Sequence, residues 1–73
     1  MNLSIQTIDN KRLSSSDVQY VTFLDFFAEP VKVPAEKIHT VYLTNMKGDF
    51  SVFGKPNIKI RSTDIRSIEY DLN

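Results

Sequence analysis

Val31-Lys-Val-Pro-Ala-Glu-Lys-Ile-His-Thr-Val-Tyr-Leu43 has a counterpart 27 residues further on, Ile58-Lys-Ile-Arg-Ser-Thr-Asp-Ile-Arg-Ser-Ile-Glu-Tyr70. Laid over each other without a gap, the two runs keep their large apolar positions in step. Val31 falls on Ile58, Val33 on Ile60, Ile38 on Ile65, Val41 on Ile68 and Leu43 on Tyr70. Carried upstream, the same offset sets Phe23 on Phe50 and Phe26 on Phe53. Each run opens on alternating apolar residues, the period of a strand with one buried face. Each is then interrupted by a short polar segment before the apolar spacing resumes. The framework is strand, short turn, strand, used twice, and it points to two ββ-turn-β halves about a pseudo-twofold axis. Identities are confined to Phe23/Phe50, Phe26/Phe53, Lys32/Lys59 and Ile38/Ile65. Shared strand patterning therefore explains the match as readily as a true duplication does.

Working outward, Asn2 to Ile8 places Leu3 and Ile5 two apart and reads as a short first strand. Asp9 to Asp17 is polar, rich in Asp, Asn and Ser, and reads as a connection. Val18 to Phe27 admits two readings. As a helix, Ser16 or Asp17 caps it and Val18, Val21, Leu24 and Phe27 share a face. As a strand, it is rich in the β-branched and aromatic residues that suit a pleated surface. The matching segment Asp49 to Phe53, between Gly48 and Gly54, is too short for a helix, which favours the strand.

Glu29-Pro30 is a tight return into Val31 to Val33, and Pro34 ends that strand because it offers no amide to a ladder. Pro34 to Lys37 reads as one helical turn, with Pro at an acceptable first position. Ile38 enters the core and His39 to Thr44 is the next strand. Asn45 to Gly48 is a hairpin loop, Asp49 to Phe53 returns, and Gly54 to Asn57 turns again. Ile58 to Arg61, a turn at Ser62 to Asp64, and a last strand from Arg66 to Leu72 complete the chain. The expectation is all-β: about seven short strands in a small rolled sheet, with α+β as the alternative if 18–27 is helical. In length and strand spacing the layout resembles the SH3-like and Sm-like small barrels, although none of their diagnostic motifs is present.

The 73 residues suit one domain, near the lower limit for folding without disulfides or metals. With no cysteine and one histidine, neither a disulfide framework nor a Cys/His zinc site can be built. A hydrophobic content of 41% and a charged content of 25% argue for a packed domain rather than disorder. Nine basic residues balance nine acidic ones, which removes any whole-molecule attraction to nucleic acid or anionic membrane. No apolar run has the length of a membrane span, and Met1 to Asn10 lacks the pattern of a signal peptide. The expectation is a cytoplasmic protein.

Catalysis needs titratable groups converging in a pocket, and the sequence offers little of that kind. His39 reads as a surface histidine rather than as a base paired with Glu36 or Asp64. Ser14-Ser15-Ser16 lacks the strand-turn-helix setting of a nucleophile elbow, and two isolated glycines make no phosphate loop. The acidic residues lack the spacing of a calcium loop. No enzyme activity, cofactor, metal or small-molecule substrate is expected.

Two binding readings remain. If Val18 to Phe27 is a strand, Val21, Phe23 and Phe27 lie on the face opposite Leu24 and Phe26, so both faces are apolar. One of them would be left for a protein partner, a second copy first of all, which also relieves a small core. Such a module suits an adaptor or inhibitor of the kind phages and mobile elements encode. The alternative is a nucleic-acid-binding barrel. Alternation turns Lys59 and Arg61 outward, Lys32 takes the equivalent place, and Arg66 lies nearby; Tyr20, Phe50 or Tyr42 would stack on bases. The plain account of those cations is an ordinary solvated face that discourages edge pairing.

Overall fold

The computed structural model describes residues 1–40 and 46–71. Among these residues six antiparallel strands form one sheet: β1 (Asn2–Thr7), β2 (Arg12–Leu24), β3 (Pro30–Pro34), β4 (Lys47–Lys55), β5 (Ile58–Arg61) and β6 (Ile65–Asp71). Hydrogen bonding runs β5-β4-β2-β1-β6, with β3 paired to β2 off this path. The fold is all-β, and the helical alternative for 18–27 does not form. No helix among the described residues is long and apolar enough to cross a membrane.

β2 organises the rest. Its first part pairs with β1, setting Leu3 opposite Ser15 and Ile5 opposite Leu13. Its last part has β3 on one side and β4 on the other. The change comes at Asp17, whose φ of 50° is left-handed, a conformation Asp tolerates better than most residues. The β2–β4 register shifts between Ser16 and Tyr20. Ser15, Val18, Val21 and Phe23 are consequently all buried, although strict alternation would not put them on one side.

Two expectations are corrected here. The polar stretch Asp9 to Asp17 is mostly strand, and only Ile8 to Lys11 forms the connection. Its serines are held by specific partners rather than by apolar contact. The buried Ser15 hydroxyl donates to the Pro56 carbonyl at 2.7 Å, and the Ser16 hydroxyl to that of Lys55 at 3.2 Å. The second correction concerns Val21, Phe23 and Phe27, which do not share an exposed face. The bend sends Val21 and Phe23 into the core, and β2 ends at Leu24, so Phe26 and Phe27 sit in a turn.

The core is one cluster in which Leu3, Ile5, Val21, Ile38, Phe50 and Val52 are fully buried. Burial of each such side chain contributes about 1.5–3 kcal/mol. Phe23 and Phe50 meet there with ring centroids 6.3 Å apart. β3 leads into a 3₁₀ helix (Ala35–Thr40) and β5 into a shorter one (Ser62–Asp64). A 3₁₀ turn thus follows a strand in both places, but Phe23 pairs with Val31 while Phe50 pairs with Ile60, two residues beyond the counterpart of Val31. His39 and Thr40 belong to the first 3₁₀ helix rather than to a strand. The rest of the expected strand His39 to Thr44, with Val41, Tyr42 and Leu43, lies outside the described residues, as does Asn45. Lys47 and Gly48, expected in a loop, belong to β4, and so do Gly54 and Lys55.

Candidate functional site

Two surfaces gather the chemistry. The first is the turn between β2 and β3. Asp25 organises it: one carboxylate oxygen accepts from the Phe27 amide at 2.9 Å and from the Glu29 amide at 3.0 Å. The Asp25 amide donates to the Glu29 carbonyl, and the Ala28 amide to the Asp25 carbonyl, each at 2.9 Å. Ala28 takes a left-handed φ of 59° to close the turn. The result is a braced tip whose two phenylalanines stand in water, Phe26 at 63% and Phe27 at 79% exposure. Their rings meet edge to face at 5.4 Å, and the Lys47 ammonium lies 5.3 Å from the centre of the Phe26 ring. Turns usually carry small polar residues, so this placement stands out physically.

The second surface is the outer face of β3, β2, β4 and β5. Val21, Phe23, Val33, Phe50, Val52 and Ile58 point inward. Alternation therefore turns Lys32, Tyr20, Thr22, Asp49, Ser51, Phe53, Lys59 and Arg61 outward. Tyr20 opposes Phe53 across β2 and β4, and their rings stack with centroids 4.5 Å apart. The Lys32 ammonium sits 4.2 Å from the Tyr20 ring centre, a cation–π contact that contributes about 0.5–1 kcal/mol at an exposed site. In the adjacent row Lys32 opposes Thr22, Thr22 opposes Ser51, and Ser51 opposes Lys59. Lys59 makes a surface ion pair with Asp49 at 3.7 Å.

Of the cations singled out in the sequence, Lys32, Lys59 and Arg61 come together on this face. Arg66 does not: it lies on β6 and donates to the Asn10 side-chain oxygen at 2.6 Å. Of the rings expected to stack, Tyr20 is half-buried at the face and Phe50 is in the core. Tyr42 lies outside the described residues. Phe53 is not among the rings expected at the surface, because a domain this small needs most of its phenylalanines in the core; its alternation with Val52 is the signal that places it outside.

A third feature is a cleft of about 360 Å³ lined by Thr7, Ile8, Leu13 and Ile60, with Asp9, Lys11 and Asp64. The Thr7 hydroxyl is engaged by the Asp9 carboxylate and by the Lys11 amide at 3.0 Å. That hydrogen bond, helped by the nearby Lys11 ammonium, holds the Asp9 carboxyl below the usual aspartate value. The Ile8 amide donates to the Asp64 carbonyl at 3.0 Å and ties this corner to the second 3₁₀ helix. Among the described residues no group of three or more His, Asp or Glu is placed to hold a metal ion. Comparison with protein-family models, curated proteins and solved structures finds no match for the chain.

Proposed function

We propose that the protein is a non-enzymatic β module, of adaptor or inhibitor type, that docks on another protein through the Phe26–Phe27 tip. The observation that carries this reading is the pair of phenylalanines held in water by a turn braced on Asp25. Exposed aromatic rings on a rigid support are what interface anchors need. They bring large apolar area, and little conformational freedom remains to be lost on docking. The first partner to consider is a second copy of the chain, since a domain this small gains most from apolar area covered by association. The lack of cysteine suits work in a reducing compartment such as the cytoplasm.

The test is the mass in solution over a range of concentrations, for the wild type and for the Phe26→Ser/Phe27→Ser variant. Both residues lie outside the core, so the variant keeps its fold. Association lost in the folded variant supports the reading. A wild type that stays monomeric, or a folded variant that associates unchanged, overturns self-association through this tip.

A further inference from the structure

On a different surface, we infer that the outer face of β3, β2, β4 and β5 is a binding platform for single-stranded nucleic acid. The charge on this neutral chain is not evenly spread. Lys32, Lys59 and Arg61 all project from this one face, and Lys47 joins them at its edge beside Phe26. Asp49 is the one carboxylate on these strands' outward rows; it shares an exposed ion pair with Lys59, and Lys32 and Arg61 leave the face with an excess of cations. The other acidic residues of the described chain lie in turns, in the 3₁₀ helices, at the β2 bend or on β6. The Arg61 side chain is exposed and makes no hydrogen bond or ion pair among the described residues, which leaves its five donors available.

The arrangement of side chains matches what a single strand offers. Straight across the sheet runs a row of cation, hydroxyl, hydroxyl, cation: Lys32, Thr22, Ser51 and Lys59. With strands about 4.8 Å apart, the two ammonium groups are carried by backbones about 14 Å from each other. Ammonium and hydroxyl groups are the usual donors to phosphate oxygens, and they carry no sequence information. One row along stands the Tyr20–Phe53 stack, with Lys32 over the outer side of Tyr20. The Phe53 ring is half-exposed and is the surface on which an unpaired base stacks. Paired bases are buried in a duplex and cannot reach it. The platform therefore selects single strands, with modest preference among bases.

The probes are labelled oligo-dT and oligo-U of about 20 nucleotides, long enough to span a small platform. They are titrated with the full chain at low and moderate salt, beside a duplex of the same length. The expected result is salt-sensitive binding of the single strands and weaker binding of the duplex. Lys59→Ala/Arg61→Ala should lower affinity and reduce the slope of log K against log salt by about 1.4, the contribution of two phosphate contacts on a single strand. Phe53→Leu, which keeps bulk but removes the ring, should lower affinity by about fivefold to a hundredfold. Arg66→Ala, on β6 and bonded to Asn10 rather than set on these strands, should leave it unchanged. Folding of each variant is checked by the dispersion of its amide spectrum. Three results overturn the inference: no binding of either strand at low salt, equal binding of duplex and single strand, or folded Lys59/Arg61 and Phe53 variants that bind as the wild type does.

Discussion

Gly54 packs so closely beneath the bend of β2 that no side chain fits between it and Ser15. A Cβ at Gly54 would strike the Ser15 hydroxyl, and would lie 2.9 Å from the Ser16 carbonyl oxygen and 3.2 Å from the Val18 Cα. The hydroxyl cannot simply swing aside, because it is bonded to the Pro56 carbonyl. Gly54→Ala should therefore destabilise the fold by about 1–3 kcal/mol, the usual penalty for forcing atoms into a filled space. The check is a lower urea midpoint with an unchanged slope. Adding Ser15→Ala removes the atom struck first, so the double variant should lose less than the sum of the two single changes.

Phe50 and Phe27 should behave in opposite ways. Phe50 is fully enclosed against Phe23 and the other core residues, so Phe50→Ala should cost about 3–5 kcal/mol, much of a small domain's stability. Phe27→Ser should change stability by less than about 0.5 kcal/mol, because the ring touches little but Phe26 and water. Thermal unfolding of the two variants beside the wild type gives both numbers.

Asp25 braces the tip through two amide donors on one oxygen. Asp25→Ala leaves the Phe27 and Glu29 amides without that acceptor and should cost about 1 kcal/mol, as loss of a comparable side-chain cap does in a helix. Asp25→Asn retains an acceptor oxygen and should lose less. Faster hydrogen exchange of these two amides in the alanine variant is the specific signature. If the alanine change leaves both exchange rates as they were, the carboxylate is not what orders the turn.

Asp9 gives the fold one identifiable acid sensitivity. Its carboxyl is held below the ordinary aspartate value first by the Thr7 hydroxyl and then by Lys11. A group whose proton affinity is lower in the folded state adds stability above its unfolded pKa and loses it as pH falls through the folded one. The contribution should therefore fade below about pH 4. Asp9→Asn should flatten that part of the stability–pH profile by lowering stability at neutral pH while leaving the acid end nearly unaffected, as chemical denaturation across the acid range would reveal.

Much of the sheet was legible because its apolar residues alternate. Leu3 and Ile5 marked β1, and Ile58 and Ile60 marked β5; the turns around them were signalled by Gly, Pro and Asn. Arg12 to Asp17 was not legible. Its inward positions are Leu13 and Ser15, and the second of these is buried through a hydrogen bond to Pro56, a partner far along the chain. Nor was the fate of Val21 and Phe23 legible. Alternation extended through Val18 to Phe27 puts apolar groups on both faces, and only the left-handed Asp17 with its register shift resolves the conflict. The outward set Lys32, Lys59 and Arg61 was readable from period-two spacing, and it holds because Val31, Val33, Ile58 and Ile60 on the opposite face pack in or against the core. Arg66 was grouped with them by nearness in sequence, yet after the 3₁₀ helix at Ser62–Asp64 the chain enters β6, which pairs with β1 and not with β5.

The pairing of β1 with β6 sets a timetable for the chain as it leaves the ribosome. β3, β2, β4 and β5 find their partners soon after synthesis, but β1 has one edge open until Ile65 to Asp71 emerges. In that interval Leu3 and Ile5, although paired to β2, lack their neighbours Tyr70 and Ile68, so the nascent chain carries an open strand edge. The β1–β6 closure joins the β2–β4 pairing as a long-range step, and rates in the millisecond-to-second range of non-local β topologies are the natural consequence.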